Sequence, residues 1–73
     1  QIRGKFDLVV SNILSKVLIA LAPDLKRRVA AHGTLVLGGI LAREARAVAA
    51  HYCEFDLASK RIDRGWATMV FER

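Results

Sequence analysis

The polar pair Ser11 and Asn12 interrupts the apolar run FDLVVSNIL, Phe6 to Leu14, just where a strand would reach the edge of a sheet. The asparagine amide carries an acceptor oxygen and two donor hydrogens but no charge. Two uses follow: it can orient an amine or another N–H group, or it can cap the helix that comes next, a task for which asparagine is among the best residues. Gly38 and Gly39 close a second apolar run, where the lack of side chains lets a backbone or a substrate come close. The other candidates offer less chemistry. His32 precedes Gly33 in an expected exposed turn, and His51 falls near an expected helix C-terminus, where the helix dipole favours a partly charged imidazole. With no acidic or cysteine companion at ligand spacing, no metal site is expected. Cys53 cannot form an internal disulfide and reads as a small buried hydrophobe at the start of a strand. Trp66 and Phe71 read as packing groups rather than a base-stacking platform.

These residues need a scaffold, and the pattern supplies one. Phe6 to Ser11 is a short, nearly continuous apolar run, the signature of a strand covered on both faces. Val17, Leu21, Leu25 and Val29 then recur at helical spacing within a helix expected over 16–31, with Ser15 placed to cap its start and Gly33 just beyond its end. Pro23 should kink that helix, or divide it so that Pro23 and Asp24 open a second segment. Thr34 to Leu37 returns to a strand. Leu41, Ala45, Val48, Ala49 and Tyr52 share one face of a further helix. Glu54 to Ser59 and Trp66 to Glu72 read as two strands, joined through Arg61 to Gly65 as an antiparallel hairpin. The order strand, helix, strand, helix, strand, strand implies an α/β fold with a parallel sheet, right-handed crossovers and a last strand that runs antiparallel. In such sheets ligands bind beyond the carboxyl ends of the strands, which selects Ser11 to Leu14 and Gly38 to Leu41.

The bulk properties set limits. Seventy-three residues make one small domain, burying only about 60% of the surface of its unfolded chain. No apolar run approaches the roughly 20 residues of a membrane span, and QIRGKFD does not resemble a secretory signal, so a soluble, cytoplasmic protein is expected. A start at Gln1 suggests a piece of something longer. The net charge of +5 comes from scattered lysines and arginines without interleaved aromatics, which reads as a solvated outer face, and no nucleic-acid partner is expected.

Three segments, FDLVVSNIL, VLIALAPDL and HGTLVLGGIL, together resemble the C-terminal half of the methyltransferases that modify the eleventh protein of the large ribosomal subunit. Those sequences carry a D-x-x-x-A-N-I-L strand end, an L-A-P-x-L helix, a P-G-G-x-L-x-L-S-G-I-L second strand and a tryptophan in the last strand. Asp7 with Ser11 to Leu14, Leu21 to Leu25, His32 to Leu41 and Trp66 match them here, with Ser11 for alanine, Gly38 for serine, and Ala31 and His32 for the proline and first glycine. The resemblance implies a Rossmann-like class I methyltransferase, three-layered, that uses S-adenosyl-L-methionine to methylate amines of a ribosomal protein. It implies Asn12 as a catalytic residue, Ser11 and Asn12 beside the cofactor, and Ile13, Leu14, Gly38 and Gly39 toward the substrate. The chain would begin at the fourth strand of that fold, with a sheet order of fourth, fifth, seventh, sixth. No G-x-G-x-x-G is present and no acidic residue follows a suitable strand, so the isolated chain is expected to be inactive. The alternative is a non-catalytic half-domain that associates with other chains, its exposed strand Phe6 to Val10 pairing with a second copy or being shielded by Gln1 to Lys5.

Overall fold

A computed structural model describes residues 5–73 as a four-stranded sheet with helices packed on one side. In chain order the elements are β1 (Phe6–Asn12), α1 (Ser15–Ala20), α2 (Ala22–Arg28), β2 (Val29–Leu41), a 3-10 turn (Ala42–Glu44), α3 (Ala45–Ala50), β3 (Asp56–Asp63) and β4 (Trp66–Glu72). The strands lie in the order β1-β2-β4-β3; β1 and β2 are parallel, and β4 runs antiparallel to both of its neighbours. This is the α/β half-sheet and the strand order the resemblance implies.

Strand alternation fixes which face is covered. Leu35, Leu37 and Ile40 of β2 and Ala67, Met69 and Phe71 of β4 are buried together with Leu18 of α1, Ala22 of α2 and Val48 of α3, and Val9 of β1 packs against this cluster. The opposite face has no helix among the described residues. There Leu8 and Val10 are 60% and 65% exposed. A β1 covered on both faces is therefore not what the chain forms: the sheet and one helix layer are present, and the second face of β1 is open. Shielding of β1 by the first residues concerns positions 1–4, which lie outside the described residues.

Local differences have physical causes. Pro23 divides the helical stretch as expected, standing at the second position of α2, where a missing backbone donor costs nothing. Asp24 in the same turn binds Arg27 and Arg28 at 3.1 and 3.3 Å. The second segment stops at Arg28, three residues early, because Val29 is fully buried and pairs with Phe6 in the sheet, which outweighs the helix preference of Ala30 and Ala31. Gly33 accordingly lies within β2 rather than past a helix end. Ser15 is the first residue of α1, not its cap; Leu14 takes that place and no side chain caps the helix. Strand β3 runs on to Asp63 because its ladder with β4 continues to the two-residue turn Arg64–Gly65, both at positive φ. Cys53 is exposed, since the turn after α3 directs Tyr52 and Phe55 into the core and leaves the thiol outside.

Three contacts hold these elements together. Tyr52 is fully buried; its hydroxyl donates to the Leu18 carbonyl at 2.7 Å, and its ring meets Phe71 at 5.6 Å between centroids. Burial pushes the Tyr52 pKa up from 10 to about 12. At the other end, the Ala42 N–H donates to the Gly65 carbonyl at 2.8 Å and pins the hairpin turn beside the end of β2.

Candidate functional site

The carboxyl ends of β1 and β2 meet the amino end of β4 at an open cleft of about 480 Å³, lined by Asn12, Ile13, Leu14, Gly39 and Trp66. Each is delivered by a different local rule. Asn12 pairs with Gly38 in the parallel ladder, on the helix-free face that also carries Val10 and Val36. Ile13 and Leu14 form the short link into α1, and the Leu14 carbonyl accepts from the N–H groups of Val17 and Leu18, both at 3.0 Å. Trp66 opens β4 on the face opposite buried Ala67, so its ring stands half open at the rim, 52% exposed.

Between Leu37 and Ile40 the ladder with β4 slips: Leu37 pairs with Met69 and Ile40 with Ala67, leaving Gly38 and Gly39 opposite Thr68 alone. This is a β-bulge, and Gly39 takes φ +71°, which favours glycine. A Cβ at Gly39 would overlap Asn12 Oδ1 and lie 3.2 Å from Asn12 Cγ. A Cβ at Gly38 would meet Asn12 and Thr68 only at 3.9–4.0 Å, ordinary contact. The amide of Asn12 thus lies against Gly39, exposed and without a hydrogen bond to the described residues. It does not cap α1, so the alternative use of this asparagine as a helix cap is not realised.

Of the residues singled out from the sequence, Asn12, Ile13, Leu14 and Gly39 come together, with Gly38 beside Asn12. Ser11 does not join them. It pairs with buried Leu37 and so points to the helix side, opposite Asn12. Trp66, read as a packing residue, is at the cleft instead; the signal available was its place at the first position of a strand, next to a turn, in a stretch matching the family's last strand.

A second cleft of about 560 Å³ lies at the opposite edge of the sheet, among Lys5, Pro23, Lys26, Arg27, Glu54, Phe55 and Arg73. Its charges are mostly engaged: Lys26 binds Glu54 at 2.7 Å, Arg27 binds Asp24, and Arg73 donates to the Lys26 carbonyl at 3.1 Å and lies over Phe55. The hydrogen bond from Lys26 holds the Glu54 carboxyl below its usual pKa. These groups join α2 to the end of the sheet, whereas the Asn12 amide is uncommitted.

The family model of "Ribosomal protein L11 methyltransferase (PrmA)" matches residues 1–73. A ribosomal protein L11 methyltransferase of Thiobacillus denitrificans is 46% identical over 68 residues, covering 92% of this chain and 23% of the relative. That of Pelobacter propionicus is 39% identical over 72 residues, covering 96% and 23%. The crystal structure of a ribosomal protein L11 methylase from Lactobacillus delbrueckii subsp. bulgaricus superposes with a TM-score of 0.90 at 28% identity, over 100% of this chain and 39% of that one. The chain therefore spans about a quarter of the length of the curated relatives it matches.

Proposed function

The chain belongs to the ribosomal protein L11 methyltransferase (PrmA) family, and on that premise we propose that it forms the C-terminal part of an S-adenosyl-L-methionine-dependent protein N-methyltransferase whose substrate amine is held at Asn12. The observation that carries this reading is the uncommitted, uncharged amide of Asn12 over Gly39, in a cleft at the carboxyl edge of the sheet. When bound, the cofactor supplies a methyl group activated on a sulfonium. The amine nitrogen must present its lone pair in line with that methyl at about 3 Å. Asn12 Oδ1 can accept an N–H of the amine and so aim the lone pair, without adding a positive charge that would repel the sulfonium. The Ile13 carbonyl stands close enough in sequence to share the task, whereas that of Leu14 is taken by the N–H groups of Val17 and Leu18. The cleft is open to solvent, so the proton left on the methylated nitrogen would pass to water there rather than to a side chain of the lining. The face of Trp66 favours the cationic methylated product.

The lining residues fit the methyl-bearing end of the cofactor but not its nucleoside end. None of the five is acidic, so no carboxylate is in place to hold ribose hydroxyls, and the 73 residues contain no glycine-rich loop. The isolated chain is accordingly read as inactive, with the missing wall supplied by further sequence of the kind its longer relatives have. The exposed Leu8 and Val10 face is the seat on which such sequence would pack. The substrate is a ribosomal protein, by the names of the relatives, which also makes the reading a cytoplasmic one.

Methyl transfer from labelled S-adenosyl-L-methionine to purified ribosomal protein L11, by the full-length protein carrying this chain, tests the proposal. Asn12→Ala should lower kcat by about 100-fold, the usual loss when a reacting group is misplaced by about 1 Å. An unchanged kcat would remove Asn12 from the mechanism. Calorimetric titration of the cofactor into the 73 residues alone should show no micromolar binding; its presence would refute the incomplete pocket.

The second reading, an oligomerising half-domain, is favoured by the same open face and by the outer position of β1 in the sheet of the described residues. It predicts self-association of the 73 residues in sedimentation over a range of concentrations. A monomer at every concentration would exclude it.

A further inference from the structure

We infer that Gly39 is a positioning residue of the cleft: its missing side chain is the seat in which the Asn12 amide rests. The catalytic consequence rests on the role proposed for Asn12, while the seat itself stands on geometry. Two glycines follow one another at the bulge, and they differ in what surrounds them. A methyl at Gly38 has room, touching Asn12 and Thr68 only at contact distance. A methyl at Gly39 coincides with the space of Asn12 Oδ1 and crowds Cγ at 3.2 Å.

Something must move if that space is filled, and the structure indicates which group gives way. The backbone of β2 is held on both sides of the bulge. Leu37 and Ile40 are fully buried and paired with Met69 and Ala67, and two residues further on the Ala42 N–H is bonded to Gly65. The Asn12 side chain is exposed and has no hydrogen bond to the described residues that would oppose rotation. A side chain at position 39 therefore drives the amide to another rotamer, away from its place against Gly39, and leaves the sheet standing. Gly39 does not touch the reacting atoms in this arrangement; it acts through Asn12.

The test compares Gly38→Ala with Gly39→Asn in the full-length protein. Asparagine tolerates positive φ better than other residues with a side chain, so Gly39→Asn keeps the backbone while putting a Cβ into the seat. The first readout needs no activity. The side-chain amide resonances of Asn12, assigned by their disappearance in Asn12→Ala, should shift in Gly39→Asn and stay in place in Gly38→Ala; equal spectra for the two variants would overturn the seat. The second readout is kinetic. Gly39→Asn should lose about 100-fold in kcat with cofactor affinity retained, as a misplaced group does. The double variant Asn12→Ala/Gly39→Asn should be no slower than Asn12→Ala alone. Losses that multiply would show that Gly39 acts independently of Asn12 and refute the inference. If instead Asn12→Ala is fully active while the resonances still shift in Gly39→Asn, the proposed role of Asn12 fails and the seat survives.

Discussion

Replacing Tyr52 by phenylalanine removes one oxygen atom and tests how α1 is held against α3. The hydroxyl donates to the Leu18 carbonyl at 2.7 Å between two fully buried residues, 34 positions apart in the chain. A neutral hydrogen bond of this kind contributes about 1 kcal/mol net, and leaving a buried acceptor without its partner raises the loss to about 1–3 kcal/mol. In a domain of this size each kcal/mol lowers Tm by about 4–8 °C, so Tyr52→Phe should melt several degrees lower while its ring keeps the contact with Phe71. The pH dependence is more specific. The phenol is neutral in the fold, with its pKa raised to about 12, against 10 for the ordinary group. The unfolded chain therefore loses this proton first as pH rises. The stabilisation is complete below pH 10 and disappears between about 10 and 12, at no more than about 1.4 kcal/mol per pH unit. Lysines titrate in the same range, so the informative quantity is the difference between parent and Tyr52→Phe, from denaturant midpoints at pH 8 to 12. Tyr52 is the sole tyrosine of the 73 residues, so the phenolate absorbance of this chain reports on it directly. Equal stabilities at pH 8, or parallel profiles above pH 10, would refute the role assigned to this hydroxyl.

Leu37→Ala opens a cavity beneath the sheet and should cost about 2–5 kcal/mol, close to the whole stability of so small a domain, so loss of the folded circular dichroism signal at 25 °C is expected. The Lys26–Glu54 pair is a surface contact whose Glu54 pKa is depressed below 4.5; its small contribution should be present above that pH, fade as pH falls through the lowered value, and shrink in 1 M salt, as melts of Glu54→Gln against the parent would show. Val10→Lys should leave the folding of the isolated 73 residues almost unchanged, because Val10 is already open to solvent, yet destabilise the full-length protein if further sequence packs on that face; equal effects in the two forms would argue against such packing.

Much of the scaffold was legible from local pattern. The break at Pro23, the buried stripe of Ala45, Val48 and Tyr52 and the hairpin around Gly65 each follow from a few neighbouring residues. Features that depend on distant partners were not. A nearly continuous apolar run in β1 suggested burial on both faces, but the run says nothing of where helices lie, and both α1 and α3 take the same side. Val29 left the helix for the sheet because of Phe6, which its own window does not contain. The burial habit of cysteine does not decide Cys53, whose exposure is set by the turn that buries Tyr52 and Phe55 around it. At the cleft, Asn12 and Gly39 each stand out in the sequence as strand-end residues, yet their contact needs both the parallel register and the bulge opposite Thr68. Ser11, adjacent to Asn12 in sequence, lies on the other face because alternation separates neighbours.

The strand order also has a consequence for when the molecule can become itself. β4 is the last of the four strands along the chain, yet it occupies the middle of the sheet, between β2 and β3. Until it arrives, among the described residues β2 has one open edge and β3 has no partner, and Met69 and Phe71 are missing from the core. During synthesis the β1-α1-α2-β2 segment must therefore wait, with apolar surface exposed, for a strand made about 25 residues after β2 ends, the circumstance in which growing chains depend on chaperones. The same arrival brings Trp66 to the cleft that Asn12 lines.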